Sequence, residues 1–198
     1  YAFSGGLHGV GASVTNALSR WLEVEVCRGK VYSMRFTSSY DAKNKKWLCG
    51  VPDGPLKETG AKAGVRGTFV RFMPDDRVFE TVEWNYETIA KRLKELAFLN
   101  KGVRINFEDE RVLYRTTEGE DGEQIKEKLP PREKVTYKYD GGLIDFVNYL
   151  NDGNTKAYET PLYYSAIKDI TIKGFAPSKI KVEFSIQHTK EDTENLYS

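Results

Sequence analysis

The sequence predicts an α+β fold. Three observations carry this. Apolar residues recur at helical spacing in three stretches, they alternate with polar ones in several others, and a glycine cluster stands directly before the first helix. The chain has 198 residues, enough for one large domain or two small ones.

Ala12–Ser19 reads as the first helix, with Val14, Ala17, Leu18 and Trp21 as its apolar face. The period then falls to two. Leu22, Val24 and Val26 alternate with Glu23 and Glu25, and Tyr32, Met34 and Phe36 alternate with Ser33 and Arg35. Arg28-Gly29-Lys30 between them predicts a hairpin turn. Thr37–Gly67, with Pro52, Pro55 and five glycines, reads as a long loop, and Trp47-Leu48-Cys49 inside it as a possible extra strand. Thr68–Met73 is a short apolar strand.

Asn85–Leu99 is the clearest helix. Ile89, Leu93, Leu96 and Ala97 line one face, Asn85 is placed to cap it, and Asn100-Lys101-Gly102 stops it. Val103, Ile105 and Phe107 form a strand that Val112-Leu113-Tyr114 is expected to answer, and the polar Thr116–Arg132 reads as an exposed loop. A second unit starts near Val135. It has a strand at Val135, Tyr137 and Tyr139, a helix with Leu143, Phe146, Val147 and Leu150 on one face, and two long strands at Leu162–Ile172 and Ile180–Gln187.

Charge excludes little. Lys plus Arg (30) against Asp plus Glu (29) leaves a net +1, so any nucleic-acid surface must be local. No apolar run approaches the ~20 residues of a membrane span. Cys27 and Cys49 lack metal-like spacing and suggest buried thiols in a reducing compartment. The chain opens without Met or a leader and reaches the glycine loop at once, as expected of a chain that begins inside a domain.

That loop is Ser4–Ser19, "SGGLHGVGASVTNALS", with Gly5, Gly6, Gly9 and Gly11 within seven positions. Bare backbone running into a helix start exposes N–H donors where the dipole favours an anion. The pattern is neither a P-loop nor the dinucleotide fingerprint. By itself it is compatible with a phosphate cradle or with a tightly packed loop.

The same letters resemble the third ATP-site motif of the GHKL ATPases, in the form typical of the DNA gyrase B and topoisomerase IV B family. "GTFVRFMPD" at Gly67–Asp75, "ETIAKRLKELAFLNKGVRI" at Glu87–Ile105, "YDGGLIDFVNYLN" at Tyr139–Asn151 and "ENLYS" at Glu194–Ser198 extend the resemblance along the chain. It implies the C-terminal part of a GHKL (Bergerat) ATPase sandwich over 1–134, then the start of a ribosomal-S5-like transducer domain over 135–198. A GHKL kinase is disfavoured, because "YDGGLIDFVNYLN" resembles the topoisomerase transducer.

The resemblance implies ATP as ligand. Gly6, Leu7, His8, Gly9, Val10 and Gly11 would wrap its terminal phosphates, with the His8 ring as a further contact. Tyr1 would lie near the adenine, Thr68 would help hold the adenine amino group, Val26 and Val70 would line the floor, and Arg28 would stand at the rim. The family's general-base glutamate, Mg²⁺-binding asparagine and adenine-reading aspartate would all precede Tyr1, and its γ-phosphate lysine would follow Ser198. No catalytic residue and no metal ligand is therefore expected in this chain, which alone would not hydrolyse ATP. The implied partners are double-stranded DNA, a second copy through the ATPase region and a DNA-cleaving A-type subunit, with no membrane. The implied location is cytoplasmic, near a bacterial nucleoid, or an organelle. Lys168, Lys173, Lys179 and Lys181 are the DNA-facing candidates by charge. The alternative is a non-catalytic GHKL-like binding or dimerisation module. Ala2-Phe3, Thr15 and the lengths of Thr37–Gly67 and Thr116–Arg132 depart from the family pattern.

Overall fold

The structure is a computed structural model. It describes residues 10–118, 123–171, 178–192 and 194–197, apart from the side chains of 62, 63 and 178. The chain divides into two compact units, Tyr1–Glu83 and Trp84–Ser198.

The first unit holds α1 (Gly11–Ala17), β1 (Ser19–Asp41), β2 (Lys46–Pro52) and β3 (Lys57–Pro74), with the strands in the order β2-β1-β3 and both pairs antiparallel. Two expectations are corrected here. Arg28-Gly29-Lys30 is not a turn. β1 runs straight through it, and Gly29 (φ 87°) takes up a register shift between Arg28 and Lys30. Thr37–Gly67 is not a loop. Most of it is the end of β1, all of β2 and the first half of β3, including the strand around Trp47-Leu48-Cys49.

The helix face is also corrected. Trp21 belongs to β1, and Val14 is exposed. What ties α1 down is polar. Ser19 Oγ donates to the Thr15 carbonyl (2.6 Å), Asn16 Nδ2 to the Gly50 carbonyl (3.1 Å), and Ser38 Oγ to the Ser19 carbonyl (2.7 Å). Ser38 Oγ accepts in turn from Gly50 N at 3.0 Å. Among the described residues, Leu22 and Val31 are the buried apolar residues of this unit. Cys27 is half-buried and donates to the Val65 carbonyl (3.4 Å), whereas Cys49 is exposed rather than buried as expected.

The second unit holds α2 (Tyr86–Leu99), β4 (Ile105–Phe107), β5 (Tyr114–Glu118), β6 (Gln124–Lys128), β7 (Val135–Tyr137), α3 (Leu143–Leu150), β8 (Leu162–Ile170) and β9 (Ser178–Ile186). The Asn85 side chain accepts from Thr88 N at 2.8 Å, the cap expected for α2. Phe98 is the centre of the core. Its ring stacks on Tyr139 (3.6 Å between centroids), Phe146 (5.2 Å) and Tyr149 (5.4 Å). β4 pairs with β7, not with residues 112–114, and Thr116–Arg132 carries the β5–β6 hairpin where a loop was expected. β4 and β7 stand on either side of position 134/135.

β8 and β9 form an antiparallel ribbon with two unlike faces. Leu162 faces Ile186, Tyr164 faces Phe184 and Ala166 faces Val182 on the apolar side, while Ser165–Glu183 and Asp169–Lys179 lie on the other. Among the described residues, no helix is long and apolar enough to cross a membrane.

Candidate functional site

The expected site falls into two parts. Tyr1, Gly6, Leu7, His8 and Gly9 lie outside the described residues. Val10 and Gly11 are described. Val10 is the N-cap of α1 (φ −100°, ψ −7°), and its carbonyl accepts from Val14 N at 2.8 Å. Among the described residues no side chain caps this helix, and its first turn has no acidic residue. Thr15, a departure from the family pattern, donates its hydroxyl back to the Gly11 carbonyl at 2.9 Å.

The second part is a sheet face. The β1–β3 register places Val26 opposite Thr68, Val24 opposite Val70, Leu22 opposite Phe72 and Arg28 opposite Arg66. Directly opposite residues share a face, and so do residues two apart. Val26, Arg28, Thr68 and Val70, named through the family resemblance, therefore lie on one face. The face is graded. From Leu22 it runs through Val24 and Val26 to Arg28, about 20 Å at strand rise, passing from buried apolar to exposed cationic. Val70 is 51% exposed, so the floor is open. Such a face suits a flat apolar ring system beside a hydroxyl, with anionic groups towards the arginine end.

Arg66 was missed from the sequence. Its only signal there is the Gly67-Thr68 that follows, and only the register reveals it as the partner of Arg28. Like charges directly opposite one another repel, so an anion between these two guanidinium groups is favoured.

The opposite face behaves differently. A cavity of about 400 Å³ there is lined by Glu23, Glu25, Arg35, Asp53, Lys57 and Arg71. Four of its charges pair among themselves: Glu23 with Arg35 and Arg71, and Asp53 with Arg35. Glu23 accepts from Arg71 Nε at 3.0 Å and is bonded by Arg35, and the Arg71 hydrogen bond holds its carboxyl below the usual range. Arg35 and Arg71 both lie over the Trp21 ring, at 4.7 and 5.5 Å from its centroid. These residues hold the sheet's outer face together.

The DNA candidates among the described residues do not form one patch. Lys168 faces Ile180 on the apolar side of the ribbon. Lys181 Nζ lies 2.9 Å from Glu183 and Lys179 Nζ 4.0 Å from Asp169, on the other side. Lys173 lies outside the described residues.

No family model matches the chain. Individual proteins do. Over 200 residues it is 40% identical to the B-type subunit of DNA topoisomerase 4 of Enterococcus faecalis, covering 100% of this chain and 24% of that one. It is 38% identical over 200 residues to the B-type subunit of DNA gyrase of Streptomyces coelicolor, covering 100% and 26%. It is 39% identical over 197 residues to the corresponding gyrase protein of Archaeoglobus fulgidus, covering 99% and 25%. Among solved structures it matches the 43K ATPase domain of Thermus thermophilus gyrase B in complex with an aminocoumarin. The TM-score is 0.60 at 29% identity, over 92% of this chain and 40% of that one. The fold is thus the GHKL fold of that domain, and the chain is similar from end to end to part of the ATPase region of gyrase B and topoisomerase IV B. It spans about a quarter of the length of these curated relatives.

Proposed function

We propose that this chain is part of the ATPase subunit of a type II DNA topoisomerase, and that it contributes the phosphate loop and one wall of the nucleotide pocket. The observation that carries the proposal is the end-to-end similarity to gyrase B and topoisomerase IV B at 36–40% identity, with the glycine loop included. The shared face of Val26, Arg28, Thr68 and Val70 supports it, because two pairs of residues from distant stretches of the sequence meet in the β1–β3 register.

In this reading Gly6, Leu7, His8, Gly9, Val10 and Gly11 turn their amides towards the β- and γ-phosphates, and Tyr1 lies by the adenine. Consecutive amides near a helix start are strong anion donors. Val26 and Val70 give the adenine an apolar floor, the Thr68 hydroxyl helps to hold its amino group, and Arg28 guards the rim. Bound Mg²⁺ would neutralise phosphate charge. Among the described residues no three His, Cys, Asp or Glu side chains converge on a metal position. The metal ligand and the water-activating base belong, in this proposal, to residues outside the chain. ATP binding would drive dimerisation of two subunits around a DNA duplex, with cleavage by an A-type partner, in the cytoplasm. Division at 134/135 into the end of the ATPase domain and the start of a transducer domain is part of the same proposal.

The test is calorimetry with a non-hydrolysable ATP analogue, on this chain and on a form extended upstream. Tight binding by the extended form and weak or no binding by this chain are expected. An extended form that fails to bind, or Mg²⁺-dependent ATP turnover by this chain alone, overturns the proposal.

A further inference from the structure

The end of β1 and the start of β2 form a hairpin whose tip, Tyr40–Trp47, carries Lys43, Lys45 and Lys46 against a single acid, Asp41. The whole chain is nearly neutral at +1, so this is a local concentration of positive charge. All three lysines are exposed, and none makes an ion pair among the described residues.

The tip is built, not slack. The Asp41 carboxylate accepts from Lys43 N (3.0 Å), Asn44 N (3.1 Å) and Asn44 Nδ2 (2.6 Å), which fixes the turn. Below it, Trp47 lies under the Arg77 guanidinium (4.3 Å to the ring centroid) and against Tyr40 (5.1 Å between centroids, 56° between planes). Arg77 is itself anchored. Its Nε donates to Asp75 Oδ1 at 2.7 Å and its Nη2 to the Ser38 carbonyl at 3.2 Å.

One residue is out of place. Lys45 has φ 50°, the left-handed region that turns normally fill with glycine or asparagine. A lysine held there costs backbone energy that its exposed side chain does not recover within the fold.

We infer that this hairpin is a contact for the sugar–phosphate backbone of duplex DNA, made by the three ammonium groups at its tip. Lysines on flexible stems suit phosphates as point charges. Trp47 is already engaged by Arg77 and Tyr40, so the aromatic pair stiffens the finger and does not serve as a stacking platform for bases. The contact is therefore independent of sequence. Duplex DNA as the occupant rests on the topoisomerase reading, while the surface itself rests on charge and hairpin geometry and not on the nucleotide site, so calorimetry with the ATP analogue and the DNA titration below fail or succeed separately.

The experiment is fluorescence anisotropy of a labelled duplex of about 30 bp, titrated with the full chain across a range of salt. Lys43→Gln/Lys45→Gln/Lys46→Gln is expected to weaken binding at least tenfold at low salt and to flatten the log–log salt slope by about 2.7, three phosphate contacts at about 0.9 each. Lys126→Gln/Lys128→Gln/Lys156→Gln, with the same change in charge, is expected to bind like the parent. Lys45→Gly separates the two roles of that residue: DNA affinity falls while Tm stays level or rises. The proposal is overturned by a parent chain that does not bind, by equal losses in the two triple variants, or by polyglutamate of matched charge competing as well as unlabelled duplex.

Discussion

Val26 sits directly opposite Thr68 in the β1–β3 register, and Glu25, its neighbour in sequence, sits opposite Phe69 on the other face. This alternation turns the nucleotide proposal into a sided test. Thr68→Ala in a nucleotide-binding form of the subunit should weaken an ATP analogue by about tenfold, the usual worth of one lost hydrogen bond in a pocket. Glu25→Gln, one residue from Val26 but on the outer face, should leave the affinity unchanged. Calorimetry on both variants decides, and equal effects would mean that the face is not the pocket wall.

Arg66 extends the same logic. It stands opposite Arg28, and an anion between them would relieve their repulsion. Arg66→Ala should therefore raise the Tm of the ligand-free chain slightly and lower its gain in Tm on adding the ATP analogue to a binding-competent form. A variant that loses Tm without ligand, with an unchanged gain, would show that Arg66 is packing rather than binding. Thermal scans with and without the analogue read both.

Gly50 is a packing prediction. It has φ 60°, and a Cβ built on it would lie 2.5 Å from Asn16 Nδ2, the atom that donates to the Gly50 carbonyl. Gly50→Ala combines left-handed strain of roughly 1–2 kcal/mol with displacement of Asn16 from β2. Tm should fall by several degrees. Adding Asn16→Ala should relieve the clash but not the strain, so the double variant should lose less than the sum of the two single ones.

The parts of the fold that were legible were those in which one local rule sufficed. α2 shows its helical spacing and its Asn85 cap, although Ala90 and Phe98, two of its buried residues, stood outside the face named from sequence; α3 has its face, and β8 and β9 have their alternation. The parts that were not legible turn on glycine. Gly29 in "RGK" looks the same whether it closes a turn or lets a strand bulge, and only pairing with β3 selects the bulge. The glycines and prolines of Thr37–Gly67 read as a loop because β2 is largely exposed and broken by Gly50 and Pro52, and the first half of β3 is exposed and rich in glycine and charge, so burial left no period. In the site, Val26, Thr68, Val70 and Arg28 were named through family likeness, and their sharing of one face is a property of register. Arg66 carries no motif, and so no single-sequence rule could reach it.

The cap on α2 gives a graded stability test. Asn85 Oδ1 accepts from Thr88 N (2.8 Å) and from Thr88 Oγ1 (3.0 Å). Asn85→Ala should cost about 1 kcal/mol, or roughly 2–4 °C in Tm for a chain this size, whereas Asn85→Asp should lose little. Equal losses in both variants would place the role of Asn85 elsewhere than in the cap.

Asp109 sets the response to acid. It is almost fully buried, its Oδ1 accepts from Arg111 Nε at 2.8 Å, and its Oδ2 accepts from Arg111 Nη2 at 2.8 Å and Arg132 Nη1 at 3.1 Å. Arg132 in turn lies over the Tyr86 ring, 4.0 Å from its centroid. The hydrogen bonds from Arg111, with Arg132 nearby, hold the carboxyl down to about 2 from its ordinary 3.8. Because the folded value lies below the unfolded one, this group contributes stability above about pH 4, and the contribution is lost as pH falls through about 2. In Asp109→Asn the amide cannot carry the charge. Tm near neutrality should drop by several degrees, and the fall in stability from about pH 4 to 2 should become shallower than in the parent. Parallel acid titrations would show that the charge of Asp109 does not act through this network.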